Sequence, residues 1–190
     1  HDLKSPFHGI MGYSSLLLED YEFLSKDDIK VYLTTINKSI INVYKFLENL
    51  LDWSRLQTGR MNCQIENVNV YSTVLYSINL VSANAHNKDI KIINNVDTQY
   101  NVKADERMLN SVLENLLSNS IKFTNRKGVI TITASRINSF IEISVEDSGV
   151  GMSQETIEII FRIDKNHTTL GTEQEKGTGF GLILCKEIIL

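Results

Sequence analysis

With 190 residues the chain has room for one large domain or two small ones, and its 42% hydrophobic fraction is ordinary for a soluble globular protein. Lys and Arg total 19 against 23 Asp and Glu, for a net charge of −4, and no stretch gathers the cations of a phosphate-backbone footprint, so nucleic acid is not an expected partner. The longest apolar runs, such as Leu16 to Leu18 and Ile188 to Leu190, fall far short of the roughly 20 residues a membrane span needs.

In chain order, His1 to about Tyr21 carries Leu3, Phe7, Ile10, Leu17 and Leu18 on a helical period, and Ser25-Lys-Asp-Asp28 offers a cap for a second helix. From Asp27 the residues Ile29, Leu33, Ile36, Ile40, Val43, Leu47 and Leu50 alternate spacings of four and three, a heptad seam that predicts one helix over residues 27 to 58. The two form an antiparallel hairpin whose narrow seam buries too little alone. A second hairpin from another copy of the chain completes a four-helix bundle, so a homodimer is expected.

Residues 62 to 68 read as a polar linker, placing a domain of residues 1–62 before one of residues 68–190. Beyond it the pattern predicts a helix over Val70 to His86, a strand over Ile90 to Val96, and an amphipathic helix from Asp105 to Phe123 opened by an acidic first turn. Val129 to Ala134 and Phe140 to Val145 alternate with period two, and Arg136-Ile-Asn-Ser139 supplies the hairpin turn. Ser153 to Ile160 and Gly181 onward are short helices, and Asn166 to Lys176, without apolar period, is expected to be a mobile lid. This alternation predicts an α+β two-layer sandwich after the all-α hairpin.

Three motifs carry chemistry. Asn115 and Asn119 lie one helical turn apart, with Lys122 further along the same face, which suits a phosphate and its metal; the Asn119 amide oxygen is a hard donor for Mg²⁺. Asp147-Ser-Gly149-Val-Gly151 follows a strand. Its carboxylate can accept a hydrogen bond from an adenine amine, and positive φ at its glycines lets the backbone approach a ligand, although alone the pattern is an ordinary turn. Gly177-Thr-Gly179-Phe-Gly181 leads into an apolar helix, where backbone amides can hold phosphate oxygens; it has neither the ending of a P-loop nor the spacing of a dinucleotide fingerprint.

In this order, the motifs resemble the N, G1 and G2 boxes of sensor histidine kinases. Ile160-Phe161 sits where that family has its F box, and His1-Asp-Leu-Lys-Ser-Pro-Phe7 resembles its H box. The resemblance implies a Bergerat-type ATP domain behind a dimerising phosphoacceptor hairpin. It further implies ATP and Mg²⁺ as ligands and the receiver domain of a response regulator as partner. By it His1 is the phosphoacceptor, Asp2 its base, Asn119 the Mg²⁺ ligand and Asp147 the adenine reader. Asn115, Lys122, Phe123, Gly149, Gly151, Lys176, Gly177, Thr178, Gly179, Gly181 and Leu182 complete the ATP site. Ser5, one turn from His1, takes the place from which the family positions water for dephosphorylation.

Chemically, a neutral imidazole is the attacking form, and a carboxylate on its other nitrogen fixes the tautomer. Pro6 removes a helix hydrogen bond and clashes with the carbonyl of Asp2, bending the helix beside the reactive turn. Gyrase-type ATP hydrolases share the fold but carry a Glu where this chain has Asn115, while Glu114 is rotated about 100° away, so transfer is expected over hydrolysis. A nucleotide-binding scaffold without catalysis is the third reading. Cys63 and Cys185 make no Cys-x-x-Cys pair and stand at no ligand spacing to a histidine; reduced, partly buried thiols and a cytoplasmic setting are expected. Opening on His1 without Met or leader, the chain reads as an excised piece, truncated at its C-terminal end, of a parent that can carry membrane segments.

Overall fold

The computed structural model describes residues 4–60, 62–162, 169–175, 177 and 179–190, and within 4–6 the backbone alone. The chain divides into two compact units, His1–Arg55 and Leu56–Leu190.

The first unit is a helical hairpin of α1 (Lys4–Glu19) and α2 (Lys26–Gln57), the second helix running past the unit's end. A reciprocal capping box starts α2: the Asp28 N–H donates to Ser25 Oγ at 3.1 Å, and the Ser25 N–H donates back to Asp28 Oδ2 at 3.2 Å. Tyr13 of α1 meets Tyr32 of α2 with ring centroids 5.2 Å apart. The heptad seam splits into two rows. Ile29, Ile36 and Leu50 are half-buried and Val43 is buried, whereas Leu33, Ile40 and Leu47 on the other row are exposed at 54%, 49% and 42%. Val43 is the only core residue of this unit among those described.

The second unit has two layers. Strands β2 (Lys91–Asn95), β4 (Val129–Ile137) and β5 (Phe140–Asp147) form one sheet in the order β2-β4-β5, parallel for the first pair and antiparallel for the second. Helices α3 (Val70–Asn87) and α4 (Glu106–Phe123) cover one face. Val70, Val74 and Val81 of α3, Leu113, Leu117 and Ile121 of α4, and Ile130 and Ile132 of β4 make the core between the layers. Two caps set where the helices begin. Asn69 accepts from the Ser72 N–H, and Asp105 Oδ1 accepts from the N–H groups of Arg107 and Met108 at 3.0 and 3.2 Å.

The segment expected to be a linker instead ends in a strand, β1 (Glu66–Asn69), paired antiparallel with β3 (Asn101–Ala104). Each has four residues and one central valine, Val68 opposite Val102, too short for a period to register. The expected hairpin turn also shrinks: Arg136 and Ile137 belong to β4, paired with Ile141 and Phe140, leaving Asn138 at φ 55° and Ser139 to turn the chain. Short helices α5 (Gln154–Ile159) and α6 (Gly181–Ile189) follow, α5 capped by Ser153.

Candidate functional site

Helix α4 has two working faces. Val112, Leu113, Leu117 and Ile121 enter the core, while Asn115, Asn119, Lys122 and Phe123 are half-buried. The Asn115 Nδ2 donates to the Ser111 carbonyl at 2.9 Å, which pins its amide along its own helix. Asn119, one turn on, has no hydrogen-bond partner among the described residues, so its amide is available to a ligand.

Both glycine motifs converge on this helix. At Gly181 an added Cβ would collide with Asn115 Oδ1, so the start of α6 lies directly on the Asn115 amide. Further along α6, the Cys185 Sγ points to the Val112 carbonyl at 3.8 Å, Leu182 is half-buried, and no side chain caps the first turn among the described residues. At Gly177 an added Cβ would stand 2.8 Å from Lys122 Nζ. On the other side, the Val150 N–H donates to the Phe123 carbonyl at 3.1 Å, and a Cβ at Gly149 would lie 2.5 Å from that same oxygen.

The glycines serve different needs. Gly151 and Gly179 sit at φ 67° and 71°, the left-handed region. Gly149 does not; the close approach of the Phe123 carbonyl demands it, which corrects the expectation of positive φ at both glycines of that turn. Asp147 is exposed, and its Oδ1 accepts from the Gly149 N–H at 2.9 Å, an Asx turn that uses one of its two oxygens.

Lys122 is held at its ammonium. Its Nζ donates to the Thr169 carbonyl at 2.7 Å and lies 4.5 Å from the centre of the Phe123 ring. Burial lowers the pKa of its ammonium, and the charge of Glu175 partly opposes that shift.

Where a mobile lid was expected, residues 169–175 are pinned down. The Thr172 N–H donates to the Lys122 carbonyl at 3.0 Å, Arg126 pairs with Glu173 at 2.6 Å, and Lys88 Nζ donates to Thr172 Oγ1 and Glu175 Oε1 at 2.7 and 2.9 Å. Polar side chains bonding to helix-end carbonyls anchor the segment, and its one apolar residue, Leu170, stays exposed, which is why periodicity missed it. The rest of the expected lid, Asn166 to Thr168 and Lys176, lies outside the described residues, as do Thr178, His1 and Asp2. Ser5 is described only as backbone in the first turn of α1, and the bend expected between Asp2 and Pro6 reaches outside the described residues.

Of the two thiols expected to be partly buried, Cys63 is exposed and Cys185 buried; both are free. No group of three or more His, Cys, Asp or Glu side chains gathers to hold a metal among the described residues. The amide oxygen of half-buried Asn119, without a partner among the described residues, fits a Mg²⁺ that takes its other ligands from phosphates and water.

Two family models match the chain: the His Kinase A (phospho-acceptor) domain over residues 1–59, and the histidine kinase-, DNA gyrase B- and HSP90-like ATPase over residues 104–190. Among curated proteins, an uncharacterized sensor-like histidine kinase of Rhizobium meliloti is 27% identical over 188 residues, covering 98% of this chain. The chain spans 36% of that relative's length. Among solved structures, the Acinetobacter baumannii histidine kinase AdeS is similar with a TM-score of 0.77 at 17% identity, covering 100% of this chain and 85% of the other. Histidine kinase ThkA, solved in complex with response regulator protein TrrA, is similar with a TM-score of 0.72 at 22% identity, covering 90% of this chain and 49% of the other. At those identities the two structures speak for the fold. The two family models fall on the hairpin and on the ATPase-like layer that carries the three motifs, and the chain belongs to the sensor histidine kinases.

Proposed function

We propose that this chain is the catalytic core of an ATP-dependent protein histidine kinase, with residues 1–62 the dimerising phosphoacceptor hairpin and residues 68–190 the nucleotide-binding domain. The observation that carries the proposal is the convergence on α4: Gly181 lies on Asn115, Gly177 on Lys122, and the turn after Asp147 on the Phe123 carbonyl. Three segments far apart in sequence thus meet on one helix, with an exposed carboxylate on one of them and a held ammonium on another.

In this reading Asp147 accepts from the adenine amine, while Lys122, Lys176 and the backbone from Gly177 to Gly181, including Thr178, meet the phosphates. Gly149 and Gly151 shape the turn under the base, and Phe123 and Leu182 complete the site. Mg²⁺, bound with ATP and held by Asn119, supplies charge neutralisation at the phosphates. The neutral His1 imidazole attacks the γ-phosphorus, a nitrogen–phosphorus bond forms as the bond to ADP breaks, and Asp2 takes the ring proton. The phosphoryl group then passes to an Asp of a response regulator receiver domain, the kind of partner with which ThkA was solved. We assign Ser5 to positioning the water that hydrolyses the aspartyl phosphate of the regulator and releases free phosphate.

Asn115 supports transfer over hydrolysis. Its amide has no basicity and its nitrogen is committed to Ser111, so it cannot take a proton from water. The exposed row of Leu33, Ile40 and Leu47 supports a homodimer through a second hairpin. No helix among the described residues is long and apolar enough to cross a membrane, and we assign the core to the cytoplasm, where ATP and receiver domains are found.

The test is incubation of the chain with ATP labelled at the γ-phosphate and Mg²⁺. Label retained on protein is the predicted result. Free phosphate without labelled protein would make the chain a hydrolase, and nucleotide binding with neither product would make it a scaffold.

A further inference from the structure

Lys88 belongs to none of the sequence motifs, yet it is the most buried cation among the described residues, 4% exposed at the C-terminal end of α3. Taking an ammonium out of water costs several kcal/mol unless its donors are met. Here three N–H donors have four acceptors in reach. Nζ lies 2.8 and 3.2 Å from the carbonyls of Ile121 and Lys122, 2.7 Å from Thr172 Oγ1 and 2.9 Å from Glu175 Oε1.

The two carbonyls belong to the last turn of α4, where the helix dipole is negative and carbonyls lack partners in the helix. The other two acceptors belong to the 169–175 segment. One buried charge therefore ties the end of α3 to the end of α4 and to the base of the glycine loop. A site built for stability alone gains little from an ion here, since an apolar group of the same volume usually does as well.

We propose that Lys88 is a positioning residue for the phosphate end of the nucleotide site. It holds the backbone of Lys122 from below and the 169–175 segment from the side. Lys122 spans that clasp: its carbonyl accepts from Lys88 and from the Thr172 N–H, and its ammonium donates to Thr169 at the start of the same segment. Gly177, which packs against that ammonium, follows Glu175 by two residues. Opening the clasp releases the Lys122 ammonium and the glycine loop together. It leaves Asp147 on β5 untouched, so the effect falls on phosphates and not on adenine.

This inference rests on the nucleotide reading above, and its test separates the two. ATP and adenosine affinities are measured by calorimetry on the wild-type chain, on Lys88→Met and on Thr172→Val/Glu175→Gln. The double variant weakens the clasp from the segment side, removing the Thr172 hydroxyl and the Glu175 charge, and leaves Lys88 its two helix carbonyls, so it remains informative if Lys88→Met does not fold. The prediction is a loss of about tenfold in ATP affinity with adenosine affinity held within about twofold, the scale of one charge-assisted contact. Lys88→Arg, which keeps the charge, should recover part of the loss. Equal loss of ATP and adenosine, or an unchanged preference in the folded variants, overturns the positioning role. Failure of the wild-type chain to bind ATP overturns the nucleotide reading and this inference with it.

Discussion

Gly181 rests on the amide of Asn115 with no room for a methyl group between them. Because the Asn115 nitrogen is bonded to the Ser111 carbonyl, a side chain at 181 displaces either that amide or the start of α6. Gly181→Ala should therefore lower nucleotide affinity by roughly fivefold, the cost of forcing one side chain off its rotamer. Circular dichroism of the variant should match the wild type. Unchanged affinity would mean that the contact between the two motifs does not shape the site.

Asp105 links the start of α4 to the strand side of the domain. Besides capping the helix, its Oδ2 accepts from the Gln64 N–H at 2.8 Å. That hydrogen bond above all, joined by those from Met108 and Arg107 and opposed by burial, holds the carboxyl below the usual carboxylate range. Its folded pKa lies under its unfolded one, so its contribution is complete above about pH 4 and is lost as the pH falls through the lower folded value. Asp105→Asn should cost about 1–2 kcal/mol at pH 7 and flatten the acid limb of the thermal midpoint seen by calorimetry. An acid limb identical to wild type would show that another carboxylate governs it.

The unpartnered row of the hairpin makes a prediction about assembly. Ile40→Glu places a charge in the middle of the exposed row. If a second hairpin covers that row, sedimentation should show a dimer for the wild type and a monomer for the variant. A variant that remains dimeric would place the interface elsewhere.

The two thiols should differ in reactivity. Cys63 is exposed, while burial pushes the Cys185 thiol up to about 11. At pH 8 an alkylating reagent should modify Cys63 alone in the native chain and both after denaturation. Native modification of Cys185 would show that α6 opens from α4.

Helices and long strands were legible in the sequence because their apolar residues repeat: the seam from Ile29 to Leu50 and the alternation from Val129 give α2 and β4 within a few residues. The ribbon of β1 and β3 was not, since four residues around one valine carry no period. At the candidate site the residue types were legible, but their couplings were not. Nothing local tells that Gly149 answers to a carbonyl at 123, or that the polar run from Thr169 to Glu175 is anchored. Lys88 was invisible for the same reason. A lysine after a helix reads as solvated until the fold brings four acceptors around it.

The central claim is that the γ-phosphoryl group of ATP ends on His1. The most direct measurement is the chemical stability and position of the label after reaction with Mg-ATP, read by acid and base treatment and by peptide mass spectrometry. The expected result is an acid-labile, base-stable phosphate on the peptide containing His1, absent from His1→Gln and from Asn119→Ala. A label that survives acid, or that persists in His1→Gln, would contradict it.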